Sequence, residues 1–164
     1  KNNDIILAIP SSGLHSNGFS LVRNLIKKNK ALTPFLRKEL IKPTKIYVNE
    51  INKLTEKKLI NGCANITGGG LVNNLERVVP KHLCLNINLS KIKIKPIFKW
   101  LKENNIHDNE MIKTFNCGVG FCLIANKKNL KKIKKIFSKK SQPYQIGFIS
   151  KNKSKYKTYG KIQW

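Results

Sequence analysis

The stretch that decides the fold is IILAIPSSGLHSNGFSLVRNLIKK, residues 5–28. Ile5 to Ile9 is a continuous apolar run with no polar alternation, which predicts a strand buried on both faces. A loop of small polar residues and glycine follows, Ser11 to Gly18. Beyond it Phe19, Val22, Leu25 and Ile26 fall on one helical face. Strand, loop and helix in direct succession are the building unit of a sheet with helices laid on it.

The rest of the chain continues that pattern. Residues 30–45 contain Pro34 and Pro43 and read as irregular connection. Residues 46–60 read as a helix with Ile51, Leu54 and Leu59 as a partial stripe. Cys63 to Ile66 reads as a short strand ending in Thr67-Gly68-Gly69-Gly70, and Leu71 to Val79 as a helix stopped by Pro80. Leu83 to Leu89 (LCLNINL) alternates apolar and polar residues, the period of a half-exposed strand. Pro96 suits the first turn of a helix through Ile97, Trp100 and Leu101. Asp108 is placed to cap a helix around Glu110 to Phe115. Gly118 to Ala125 reads as a strand, 128–139 as a helix with a lysine face, and Tyr144 to Ile149 as the last strand. No repeat and no linker interrupts residues 1–164. The expectation is one domain of α/β (α+β) class, a mixed sheet with helices packed on it.

The charge is extreme but not arginine-rich. Thirty-three basic against 8 acidic residues give +25, and all but Arg23, Arg37 and Arg77 of the basic residues are lysine. Lysine, asparagine and isoleucine share A/T-rich codons, and together they make 71 of the 164 residues. Drift in base composition therefore accounts for the bias without a partner. A basic nucleic-acid-binding module is the contrary reading. It calls for clustered arginine and exposed aromatics, whereas Phe19, Phe98, Trp100 and Phe115 sit at core-like spacing. The four cysteines (Cys63, Cys84, Cys117, Cys122) form no CxxC pair, which argues against a zinc site and for reduced thiols in the cytosol. No apolar run is long enough for a membrane span, and no secretory signal is visible at the N-terminus. The chain begins at Lys1 without a methionine, as a piece cut from something longer would.

Two segments share one design, a strand followed by a glycine-containing polar loop and a helix: Ser11 to Gly18 and Asn65 to Gly70 (NITGGG). Glycine lets backbone approach a ligand, and amides at such loops attract phosphate. The bland alternative for either is a turn that needs left-handed geometry. In a third segment, Glu110 to Gly120 (EMIKTFNCGVG), Asn116 stands between helix and strand, where it either meets a ligand or satisfies a turn.

Taken together and in order, SSGLHSNGFSLVR (11–23), PTKIYV (43–48), NITGGGLVNNLERVVP (65–80), the Pro96/Trp100 helix, EMIKTFNCGVG (110–120) and QIGFI (145–149) closely resemble the C-terminal half of the phosphoribosylformylglycinamidine cyclo-ligase (AIR synthetase) family. The resemblance implies a cytoplasmic enzyme that uses ATP and Mg2+ to close the imidazole ring of formylglycinamidine ribonucleotide, giving aminoimidazole ribonucleotide. It further implies a homodimer, and an N-terminal half, absent here, that holds most of the ATP and metal site. Carried over residue by residue, the family's HSNG loop falls on His15, Ser16, Asn17 and Gly18 at the substrate cleft, with His15 donating to a phosphate, serving as acid–base, or holding the loop through a backbone hydrogen bond. Thr67, Gly68, Gly69 and Gly70 match the glycine loop expected to take a phosphate, and Asn116 the third segment. Asn65 stands where the family has histidine. It can keep a hydrogen bond but cannot shuttle a proton. His82 and His107 lie outside the motifs. With eight carboxylates, and only Glu76 and Glu110 inside the quoted segments, the chain offers no metal site of its own and is expected to be inactive alone. A related reading is another ATP-using member of the superfamily, such as the amidotransferase that makes this substrate or a thiamine-phosphate kinase.

Overall fold

The computed structural model describes residues 1–29 and 32–164. Strand β1 (Ile5–Pro10) leads through the first loop to α1 (Phe19–Asn29), then α2 (Pro34–Leu40), α3 (Val48–Glu56), β2 (Gly62–Asn65) and α4 (Gly70–Glu76). There follow β3 (Leu83–Asn88), α5 (Pro96–Glu103), α6 (Asp108–Thr114), β4 (Val119–Ala125), α7 (Leu130–Ile136), β5 (Tyr144–Lys151) and β6 (Tyr156–Tyr159). One six-stranded sheet runs in the order β2-β4-β1-β5-β3-β6. Its pairings are antiparallel except β3 with β6, which are parallel, so the sheet is mixed, as expected.

The apolar run Ile5 to Ile9 becomes the inner strand β1, flanked by β4 and β5. Ile6 and Ala8 face a large core with Val22, Leu75, Phe98, Leu101 and Met111 from the helices on that side. Ile5, Leu7 and Ile9 face a smaller core with Leu54 of α3 and Ile133 of α7 on the other. Both sides of the strand are therefore dry, which is why no polar residue interrupts it. In β3, Leu83, Leu85 and Ile87 enter the large core while Asn86 turns outward beside the exposed Phe148 of β5. The alternation predicts a half-exposed strand, but Cys84 on the Asn86 face is fully buried and Asn86 and Asn88 are half-buried, so that face is only partly open. Among the described residues no helix is long and apolar enough to cross a membrane.

The structure corrects four expectations. The connection over 30–45 contains α2. Thr33 accepts a hydrogen bond from the Leu36 N–H (3.2 Å) and Pro34 takes the first turn, so the proline starts a helix rather than breaking one. The lysine-faced helix is short. Lys127–Asn129 is a 3-10 turn, α7 covers Leu130–Ile136, and Phe137 goes extended to reach the smaller core. Asp108 lies inside the first turn of α6 rather than capping it. His107 holds the cap position without a side-chain bond, while Asp108 pairs with Lys102 and accepts from the Trp164 indole N–H (3.0 Å). Finally, the last strand is β6 rather than β5. Every residue of β6 is exposed, Tyr156 and Tyr159 included, so it carries no alternation of buried and exposed positions.

Candidate functional site

The C-terminal ends of β1 and β2 and the N-terminal end of β4 lie at one edge of the sheet. The register pairs Pro10 with Val119 and Asn65 with Phe121. The two glycine loops spring from this edge. Gly68 faces Asn17, whose Oδ1 would lie 3.7 Å from a β-carbon added to that glycine. The HSNG loop and the glycine loop, far apart in sequence, thus form one rim.

The first loop is held at both ends. Asn116, only 1% exposed, donates to the carbonyls of Gly13 (2.9 Å) and Leu14 (3.1 Å) and accepts from the Gly118 N–H (2.8 Å). Its amide is fully committed inside the protein, so it braces the loop against the start of β4 and leaves nothing for a ligand. Gly18 begins α1 with φ +76, and the Phe115 ring fills the place a β-carbon would need, 2.1 Å away. Ser12 donates to the Pro43 carbonyl (2.7 Å) and Ser16 pairs with Thr44 (3.2 Å), tying the loop to the segment before α3.

His15 is buried with a left-handed backbone (φ 58). Its Nε2 accepts from the Ser12 N–H (3.1 Å), which puts the proton of the neutral ring on Nδ1. Nδ1 has no hydrogen-bond partner among the described residues. Burial, and then the charges of Lys45 and Lys95, hold the pKa of His15 below its ordinary 6.5. The ring is thus kept as a neutral donor. Beside it stands Tyr47, with centroids 6.2 Å apart and the phenol donating to the Pro10 carbonyl (3.1 Å). Gly120 makes room for both, since a β-carbon there would meet the Tyr47 oxygen at 1.9 Å. Tyr47 also packs on Phe121 (5.3 Å). Asn65 is exposed and lines, with Lys45, Tyr47 and Phe121, a hollow of ≈ 310 Å³. Tyr47 therefore links His15 to Asn65.

The glycine loop is organised by Asn74, a buried residue of α4. Its Nδ2 reaches the carbonyls of Thr67 (3.3 Å), Gly68 (3.3 Å) and Gly70 (2.7 Å), and its Oδ1 accepts from the Thr67 hydroxyl (3.1 Å). In a trans peptide the N–H points opposite the carbonyl. Drawing the carbonyls of Thr67 and Gly68 inward turns the N–H groups of Gly68 and Gly69 outward, a pair of donors suited to an anion. Gly70 lies against α6, and its N–H closes a turn onto the Thr67 carbonyl (3.2 Å).

Tyr47, Lys45, Lys95, Ser12 and Asn74 carry this geometry without having stood out in the sequence. Tyr47 occupies a quoted segment, PTKIYV, but its contacts span 37 residues of chain to Pro10 and leave no local pattern. His82 and His107 are exposed and away from the rim. Among the described residues no three His, Cys, Asp or Glu side chains converge. Glu110 bonds to Thr114 within its own helix, so the residues present do not fit a magnesium site.

Residues 1–159 match the family model described as AIR synthase related protein, C-terminal domain. A phosphoribosylformylglycinamidine cyclo-ligase of Ligilactobacillus salivarius (strain UCC118) is 37% identical over 165 residues, covering 93% of this chain and 48% of that protein. The trifunctional purine biosynthetic protein adenosine-3 of Chironomus tentans is 42% identical over 137 residues, 77% of this chain and 10% of that one. The chain thus spans about half the length of the first relative and a tenth of the second. In fold it is similar to thiamine-monophosphate kinase from Stenotrophomonas maltophilia K279a (TM-score 0.65, 13% identity, 99% of this chain and 52% of that one). It is likewise similar to phosphoribosylformylglycinamidine synthase II from Thermotoga maritima (TM-score 0.62, 13% identity, 97% and 24%). The resemblance read from six segments in register is thereby met, and the chain belongs to the AIR synthase related family, as its C-terminal domain.

Proposed function

We propose that this chain is the C-terminal half of an ATP-dependent cyclo-ligase that closes the imidazole ring of formylglycinamidine ribonucleotide to aminoimidazole ribonucleotide. The observation that carries the reading is the shared rim, where Asn17 of the HSNG loop faces Gly68 of the glycine loop. The outward amides of Gly68 and Gly69 suit a phosphate of the substrate or of ATP, with Ser16, Asn17 and Thr67 beside them. His15, neutral and with Nδ1–H directed away from the Ser12 bond, suits donation to a substrate oxygen. Asn65 offers an amide to the same hollow as Tyr47. When bound, ATP supplies the phosphoryl group that makes the amide oxygen a leaving group. The residues here hold, orient and shield the substrate, and magnesium belongs to the other half. That half also has a place to pack. Ile41, Ile46 and Val48 are 81%, 80% and 58% exposed in one stretch beside the site, an apolar surface that a neighbouring domain would cover. A cytoplasmic homodimer is part of the same reading.

The test compares the full-length parent with the 164-residue chain, reading ADP release and product together. Turnover by the parent and none by the chain is expected, and turnover by the chain alone overturns the division of labour. In the parent, Gly69→Val is expected to raise the substrate KM about ten- to a hundred-fold with the protein folded, the loss of a hydrogen bond to a charged group. An unchanged KM removes the glycine loop from the site.

A further inference from the structure

Where β5 begins, two stretches distant in sequence, 93–95 and 134–144, line a hollow of ≈ 410 Å³ together with Pro10. The segment before α5 brings Lys93 and Lys95, α7 brings Lys134, and the turn after it brings Lys139 and Lys140. No acidic residue lines the hollow, and none of the three ion pairs among the described residues engages these lysines. Lysine makes 5 of the 10 lining residues but only 30 of 164 in the chain. Uniform drift would put about two there, so composition alone does not account for the convergence.

The wall is fixed as well as charged. Tyr144 accepts from the Lys93 N–H (3.2 Å), and the Lys93 ammonium lies over its ring at 4.7 Å. Five lysines line one hollow without a carboxylate, and ammonium groups repel one another within the Debye length of about 8 Å at physiological salt. An occupant carrying several negative charges in a small volume relieves that repulsion. A single carboxylate or orthophosphate answers only part of it. A nucleic-acid strand spreads its charges along a track, whereas these lysines converge. The lining holds no arginine, and the one aromatic face, Tyr144, is already covered by Lys93.

We propose that this hollow is a second anion site that takes a compact polyphosphate, two or more adjacent phosphoryl groups either free or as the tail of a nucleotide. Lysine suits it as a set of point charges around phosphoryl oxygens, with no need for bidentate geometry. The hollow shares no lining residue with the Asn65–Tyr47 hollow, but it borders the rim through Pro10, whose carbonyl accepts from Tyr47, and through Lys95, whose charge reaches His15. The proposal rests on this lysine lining and not on the cyclo-ligase reading.

Calorimetry on the 164-residue chain with sodium tripolyphosphate, ATP and orthophosphate tests it. One tightly bound tripolyphosphate per chain is expected, held about a hundred-fold more tightly than orthophosphate, apart from any weaker anion at the glycine loop. The triple variant K95Q/K139Q/K140Q should lose about ten-fold or more, with an unchanged circular dichroism spectrum. K131Q/K132Q, on the exposed side of α7, should change the affinity of the tight tripolyphosphate site less than about two-fold, and Gly69→Val, which acts on the glycine loop, should leave that tight site in place. ATP binding as well as tripolyphosphate identifies a nucleotide tail, and ATP binding far more weakly identifies a free polyphosphate. Equal loss in both lysine variants, several tripolyphosphates bound with equal tightness, loss of the tight site in Gly69→Val, or single-stranded RNA that competes better with increasing length would each overturn the proposal.

Discussion

Replacing Asn116 by alanine separates a brace from a ligand contact. The side chain is 1% exposed and makes three hydrogen bonds, to the Gly13 and Leu14 carbonyls at 2.9 and 3.1 Å and from the Gly118 N–H at 2.8 Å. Truncation orphans all three partners. A buried polar group left unpaired costs about 1–3 kcal/mol. The N–H has no second option, whereas carbonyls tolerate under-satisfaction better. The sum expected is about 3–5 kcal/mol, a large share of the roughly 5–15 kcal/mol that holds a domain together. Urea unfolding of the 164-residue chain, followed by circular dichroism, measures it directly, and an unchanged slope shows that the loss is one of stability. Asn116→Asp is the companion variant. It keeps an acceptor for Gly118 but aims an acceptor-only group at two carbonyls, so it should be no more stable than the alanine variant. A loss below about 1 kcal/mol would refute the reasoning, and the side chain would then have to be reassigned to a ligand.

Two further outcomes follow from the loops. Gly70 has φ +68 and a β-carbon there would lie 1.8 Å from the Ile112 carbonyl oxygen, whereas Gly69, at φ +91, has only Asn73 near, at 3.4 Å. Gly70→Ala is therefore expected to lose about 3 kcal/mol or more and Gly69→Ala about 1–2 kcal/mol of backbone strain alone. Paired thermal melts check the order, and its reversal would show that α4 does not abut α6. His15 has its folded pKa lowered from 6.5, so between that lowered value and 6.5 the unfolded chain binds more protons. In that window stability should rise with pH and level off above it. His15→Gln should flatten this part of the curve in urea midpoints taken from about pH 5 to pH 7, and an unaltered slope would show that His15 is not the buried group responsible.

How far the residues alone reached depends on what each feature needed. β1 was legible because Ile5 to Ile9 must be dry on both faces, and burial on both faces leaves a mark within the strand itself. β3 was legible from its alternation, and the family from six segments in register. α2 was missed because Pro34 was weighed as a breaker, although Thr33 before it marks a start. β6 is not legible because an exposed edge strand held by backbone pairing with β3 buries neither of its tyrosines, Tyr156 and Tyr159, and so shows no burial pattern. The site divides in the same way. The glycines at 68–70 and the HSNG loop declare themselves, because a backbone that must turn tightly restricts residue type locally. The roles of Asn74, Tyr47 and Asn116 do not. Asn74 acts by reaching back around the loop, Tyr47 by bonding Pro10 across the sheet edge, and Asn116 by bonding Gly13 and Leu14 more than a hundred residues away. The convergence of Lys93, Lys95, Lys134, Lys139 and Lys140 is of that kind too. Local backbone geometry and burial period are written into neighbouring residues, whereas which side chains meet across the chain is settled only when the sheet closes.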